Sequence, residues 1–175
     1  MKIIDEIINR EGGYSNNPDD NGGETIYGIT IAVARENGYL GDMRNMPRSV
    51  AETIYERRYI IRPGFNRIVS IDSDIGEELI DTGVNMGPHR AGEFLQRCLN
   101  GFNYCGKYQE LFVDGQIGSI TADALRVFLS WRGADGKSVL LRALNGLQST
   151  RYIEIAERDK SQRNFLFGWI LNRVE

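Results

Sequence analysis

At 175 residues, with 41% hydrophobic and 26% charged side chains, the chain is long enough to bury a core without metal or disulfide staples, and it reads as two small lobes sharing a core. A net charge of −3 gives no uniformly basic surface, which argues against duplex binding and leaves nucleic acid off the list of partners. Two cysteines, Cys98 and Cys105, with a single histidine do not fill a common zinc ligand set; no metal or organic cofactor is expected, and the thiols read as reduced.

Residues 2–11 predict a short amphipathic helix with Ile4, Ile7 and Ile8 on one face, stopped by Gly12 and Gly13. Asp5, Glu6 and Arg10 interrupt the apolar run, so this start does not read as a signal peptide. No stretch reaches the ~18 apolar residues of a membrane span. Synthesis in the cytoplasm without membrane insertion is the expectation. Glu11 follows Ile7 by four residues, a spacing that carries it toward the interior edge of the helix, where desolvation would favour the protonated form. From Tyr14 to Ile29, turn-forming residues and the Gly22-Gly23 pair before Thr25, Ile26 and Tyr27 predict a small β-hairpin. Thr30 reads as the cap of a helix ending near Asn37-Gly38.

Ser49 through Glu52 has the form of a capping box, opening a helix that runs to about Ile61 before Pro63-Gly64. Asp72 or Ser73 caps the next helix, with Ile75, Leu79 and Ile80 facing inward, and Asn85-Met86-Gly87 ends it. Pro88 fits the first turn of a helix lined by Phe94, Leu95, Cys98 and Leu99. Val113 through Gly118 forms a turn into a helix carrying Leu125, Phe128 and Leu129, and Gly133 to Gly136 breaks it. A long helix from about Lys137 to Arg158, with Leu141, Leu144, Tyr152 and Ile155 inward, precedes a shorter one through Phe165, Trp169 and Ile170. The pattern is mostly α with one hairpin near the amino end, divided at about residue 90 into lobes of 1–90 and 91–175.

The polar stretch from Glu11 to Thr30 suits glycosidic bond cleavage. That reaction needs an acid to protonate the leaving oxygen and a second polar group to activate water or stabilise positive charge on the sugar. Glu11 is the candidate acid. Asp20 leads for the second role with Asp19 beside it, Thr25 is placed to orient water, and Tyr14 and Tyr27 offer aromatic and hydroxyl contacts to a sugar ring. The same residues also read as a solvent-facing helix end and ordinary turn formers, so the pattern alone leaves function open. A calcium loop lacks the required alternation of oxygen ligands and its terminal glutamate. His89 reads as a solvent-side residue at a helix start, and Arg57, Arg58, Arg62 and Arg67 as a solvated basic face.

Glu11-Gly12-Gly13-Tyr14, then Pro18-Asp19-Asp20, Gly22-Gly23-Glu24-Thr25 and Gly28-Ile29-Thr30, closely resemble the glycoside hydrolase family 108 muramidases, phage endolysins and prophage-like bacterial relatives with a catalytic glutamate in an EGGY motif. Asn85-Met86-Gly87-Pro88, Leu95-Gln96-Arg97, Val113-Asp114-Gly115 with Ile117-Gly118, and Asn164-Phe165-Leu166 through Trp169 resemble the family's carboxy-terminal peptidoglycan-binding region. The order Glu11-x8-Asp20 is also similar to phage-type lysozymes, but Thr25 follows Asp20 after four intervening residues, one fewer than that pattern has.

The resemblance implies a mostly α, lysozyme-like fold and hydrolysis of the β-1,4 bond between N-acetylmuramic acid and N-acetylglucosamine. Glu11 would be the general acid, and Asn85 a further substrate-binding residue. Peptidoglycan glycan strands are the expected partner of a monomeric enzyme released by a holin or a secretion system. A lytic transglycosylase and a non-catalytic wall-binding module are the alternatives.

Overall fold

A computed structural model describes residues 2–16 and 23–174. Among them are eight α-helices and one two-stranded antiparallel hairpin, the mostly α architecture that the periodicity predicts. The chain packs as two compact units, Met1–Arg62 and Pro63–Glu175.

In the first unit α1 (Lys2–Glu11) forms because Ile3, Ile4, Ile7 and Ile8 share a stripe, and all four are buried. It packs on α3 (Arg48–Glu56), whose Ala51, Ile54 and Tyr55 are buried. Arg48 ties the two helices, donating to Asp5 Oδ1 at 3.0 Å and Asn9 Oδ1 at 2.8 Å. Strands β1 (Thr25–Ile26) and β2 (Ile29–Thr30) pair Thr25 with Thr30 and Ile26 with Ile29. Their connection is Tyr27-Gly28, with φ of 52° and 72°, the left-handed pair that a two-residue hairpin turn requires. Thr30 caps α2 (Ile31–Glu36) by accepting from Val33 N at 3.4 Å, as its position predicts.

The capping box is a misreading. Pro47 precedes Arg48 as the helix boundary, which puts Ser49 inside α3; its carbonyl accepts from Thr53 Oγ1 at 2.9 Å, and Glu52 accepts from Arg48 Nε at 3.0 Å instead of reaching back to the helix start. Beyond α3 the chain continues through one π turn, Arg57–Ile61.

The second unit opens with α4 (Phe65–Val69), five residues long and too short to leave a periodic trace in the sequence. Asp72, not Ser73, caps α5 (Ser73–Met86): its Oδ1 accepts from Asp74 N at 3.0 Å and Ile75 N at 3.1 Å. Ile75, Leu79 and Ile80 are buried on α5, and Phe94, Leu95, Cys98 and Leu99 on α6 (Pro88–Phe102), so the two stripes form one core as these helices pack together. The Asp114–Gly118 loop lies so close to α6 that a Cβ at Gly92 would sit 2.2 Å from the Gly115 carbonyl oxygen. Only glycine admits that approach.

Helix α7 (Ser119–Arg158) is broken at Gly133, with φ 60° and ψ −145°, where the glycine pair predicts a break. On its second segment Leu140, Leu144 and Tyr152 are buried, while Leu141 and Ile155 are only half-buried. The last helix, α8 (Arg163–Arg173), stacks Trp169 on Tyr152 at 5.1 Å and leaves Phe165, Phe167 and Leu171 exposed.

Candidate active site

The described residues that pack around Glu11 belong to the first unit. Gly12, at φ 80°, ends α1 and turns the chain toward Ser15, whose N–H and carbonyl exchange 2.8 Å hydrogen bonds with Thr25. That bridge draws the strand after Glu11 alongside β1, and the hairpin returns its Tyr27-Gly28 turn to the end of α1. A Cβ at Gly28 would lie 3.0 Å from Glu11 Oε2, 3.1 Å from Glu11 Cβ and 2.8 Å from the Tyr55 hydroxyl. Glycine at this turn therefore permits two things: the left-handed backbone, and the close packing of a carboxylate and a phenol against it.

Glu11 is exposed. This corrects the expectation of burial: Ile7 and Ile8 are covered, but one turn later, among the described residues, it is the glycine face of the turn that lies against the carboxylate. Tyr55 is buried beneath it and donates to the Tyr27 carbonyl at 3.0 Å. Burial first, and then the Glu11 charge, push the Tyr55 hydroxyl above its ordinary range, so it stays a neutral donor. The sequence did not mark Tyr55 as a site residue. Its spacing on α3 reveals the inward ring but not the hydroxyl's acceptor, which comes from a hairpin distant in the chain.

Tyr14 donates to Glu24 Oε1 at 2.7 Å, and the Arg44 guanidinium lies 5.0 Å from the centre of its ring. Glu24 thus buttresses Tyr14 near the exit of α1, a role its place in the GGET motif does not announce. The Thr25 hydroxyl donates to the Gly23 carbonyl at 3.2 Å. Tyr27 is half-buried in the turn. The structure thus gathers Glu11, Tyr14, Thr25 and Tyr27 around one hairpin. Asp19 and Asp20 lie outside the described residues.

Asn85 belongs to the second unit. Its Nδ2 donates to the Asp81 carbonyl at 2.8 Å and to Asp81 Oδ2 at 2.9 Å, while its Oδ1 accepts from Arg173. Arg173 also pairs with Asp81 Oδ1 at 3.8 Å, so this cluster pins α8 to α5. His89 is exposed, 3.7 Å from Glu93 Oε1. Among the described residues no group of His, Cys, Asp and Glu has metal-binding geometry, and no helix is long and apolar enough to cross a membrane.

A helical chain whose first helix ends on a small β-hairpin beside an exposed glutamate defines the lysozyme-like class of fold. The solved structure of SagA from Brucella abortus is similar over 97% of this chain and 94% of that one, with a TM-score of 0.62 at 21% identity, a likeness of fold alone. No curated protein matches the chain. Residues 4–87 match the Glycosyl hydrolase 108 model and residues 90–174 the Predicted Peptidoglycan domain. The chain thus carries a glycosyl hydrolase 108 domain followed by a peptidoglycan domain, and it is a glycoside hydrolase that acts on peptidoglycan.

Proposed function

We propose that the protein is a muramidase that hydrolyses the β-1,4 bond between N-acetylmuramic acid and N-acetylglucosamine, with Glu11 as general acid. The observation that carries this reading is the Glu11 carboxylate, exposed at the end of α1 and close against the Gly28 turn. In its protonated form Glu11 delivers its proton to the glycosidic oxygen as the bond from C1 to that oxygen breaks. Positive charge then develops at the sugar C1, and water adds there after losing a proton to the second group. Asp20 takes that role, with Asp19 as its replacement, and Thr25 orients the water. Tyr14 and Tyr27 supply sugar contacts. In the second unit, Asn85 is a separate candidate contact for the wall polymer.

Chemistry is assigned to residues 1–90 and wall retention to residues 91–175. The protein acts as a monomer without cofactor, as a phage or prophage endolysin released to the wall by a holin or a secretion route and lysing the bacterium from there. Mass spectrometry of purified wall after digestion tests the reaction. Muramic acid at new reducing ends is the expected result. Anhydro-muramic ends would replace the hydrolase by a lytic transglycosylase, and binding without new ends would leave a wall-binding module.

A further inference from the structure

Trp131 stands two residues before the break in α7 and carries two cations on its indole: the Arg132 guanidinium at 3.8 Å from the ring centroid and Lys107 Nζ at 5.5 Å. Neither cation has an ion-pair partner among the described residues. The difference is chemical. A carboxylate partner would neutralise the charge and occupy the N–H donors, whereas an aromatic face fixes the cation and leaves its charge and donors for a ligand.

Lys107 is held there by a built loop. Asn100 exchanges two 2.8 Å hydrogen bonds with the Leu111 backbone, and Asn103 does the same with Tyr108 at 2.8 and 3.3 Å. Between these clamps Cys105 and Gly106 turn the chain through consecutive left-handed conformations, φ 63° and 61°. The loop presents Tyr104 at 72% exposure, an aromatic face that has not collapsed onto the core.

Charge is divided unevenly along the chain. Residues 90–174 hold twelve Lys and Arg against eight Asp and Glu, while residues 4–87 hold eight against fifteen. An anionic polymer is therefore attracted by the second domain and repelled by the first. We propose that Tyr104, Lys107 and Arg132, the two cations braced by Trp131, form a docking face for the carboxylate-bearing glycan strand of peptidoglycan. The cations meet stem carboxylates and Tyr104 stacks on a sugar face. This assignment rests on the peptidoglycan reading of the second domain and does not depend on Glu11.

The test is sedimentation of the full chain with purified sacculi free of covalently attached phosphate polymers, at low and moderate salt, with clearing of the wall recorded in parallel. Lys107→Glu with Arg132→Glu should lower affinity at least ten-fold at low salt and flatten its salt dependence. Tyr104→Ala should lower affinity several-fold with the salt dependence retained. Arg142→Glu with Lys160→Glu, both at exposed cations, changes net charge equally and should pellet like the parent. Unchanged pelleting of the first pair at an unchanged melting temperature would overturn the proposal, as would an equal loss in the control pair or binding confined to sacculi that carry phosphate polymers. A parent protein that pellets but never clears, and loses pelleting in the first pair, supports this face and sinks only the hydrolase reading.

Discussion

Gly28 controls what surrounds Glu11 more directly than any side chain does. An alanine there would meet Glu11 and Tyr55 at or inside 3.1 Å from a backbone at φ 72°. Gly28→Ala should therefore cost about 1–3 kcal/mol in thermal unfolding and depress wall cleavage by displacing the carboxylate. Tyr55→Phe removes one hydrogen bond to the Tyr27 carbonyl and should cost about 1 kcal/mol, with cleavage reduced less than in Gly28→Ala. The sequence placed Glu11 correctly at the end of α1 because Ile7 and Ile8 fix the register of the stripe. Its exposure was not legible, because whatever lies over the last turn comes from a hairpin distant in sequence, and helical periodicity reports only the helix's own faces. The cysteines make a separate residue-scale prediction. Both are free, Cys98 is buried with its thiol pushed up to about 11 by that burial, and Cys105 is exposed. A thiol reagent should modify Cys105 first and reach Cys98 only on unfolding, as read by mass spectrometry.

Among the elements, the Asp114–Gly118 loop depends most on a single side chain. Buried Gln96 accepts from Asp114 N at 3.0 Å and Gly115 N at 2.8 Å, and donates to Asp114 Oδ1 at 2.9 Å and the Gln116 carbonyl at 3.0 Å. Gln96→Leu would strand several of these groups against an apolar side chain, and about 2–4 kcal/mol of stability should be lost in chemical denaturation. The turn was legible from its Asp-Gly pair. The clamp was not, because Gln96 sits on the apolar side of α6, where a polar residue carries no sequence mark of the backbone groups it will meet. The same limit explains α3: Ser49 and Glu52 have the spacing of a capping box, but Pro47 decides where the helix begins and Arg48 claims the glutamate.

At the scale of the whole molecule, acid should be the solvent change that destabilises it. Asp74 is held below the usual carboxylate range first by Lys137, Asp114 by Gln96, Glu154 by Arg151 and Asp159 by Ser161. A depressed folded-state value contributes stability above the unfolded value of about 4, and that stability is lost as pH falls through the lower folded value. Melting temperature should vary little from about pH 5 to 8 and fall below about pH 4, and Gln96→Leu should shed part of that acid dependence. The two families meet between residues 87 and 90, whereas packing divides the chain at Arg62 and Pro63, because α4, α5 and α6 pack on one another. A chain-order reading sees the motifs and so places its division at about residue 90. A core assembled across that point leaves no mark in the order of motifs.

Clearing of purified wall by Glu11→Gln beside the parent protein, with thermal melting and sacculus pelleting measured on both, tests the central claim most directly. Glutamine keeps the shape against Gly28 and removes the transferable proton. Clearing should fall by about 10²–10⁴ with melting and pelleting unchanged. A Glu11→Gln protein that clears the wall as fast as its parent would contradict the assignment.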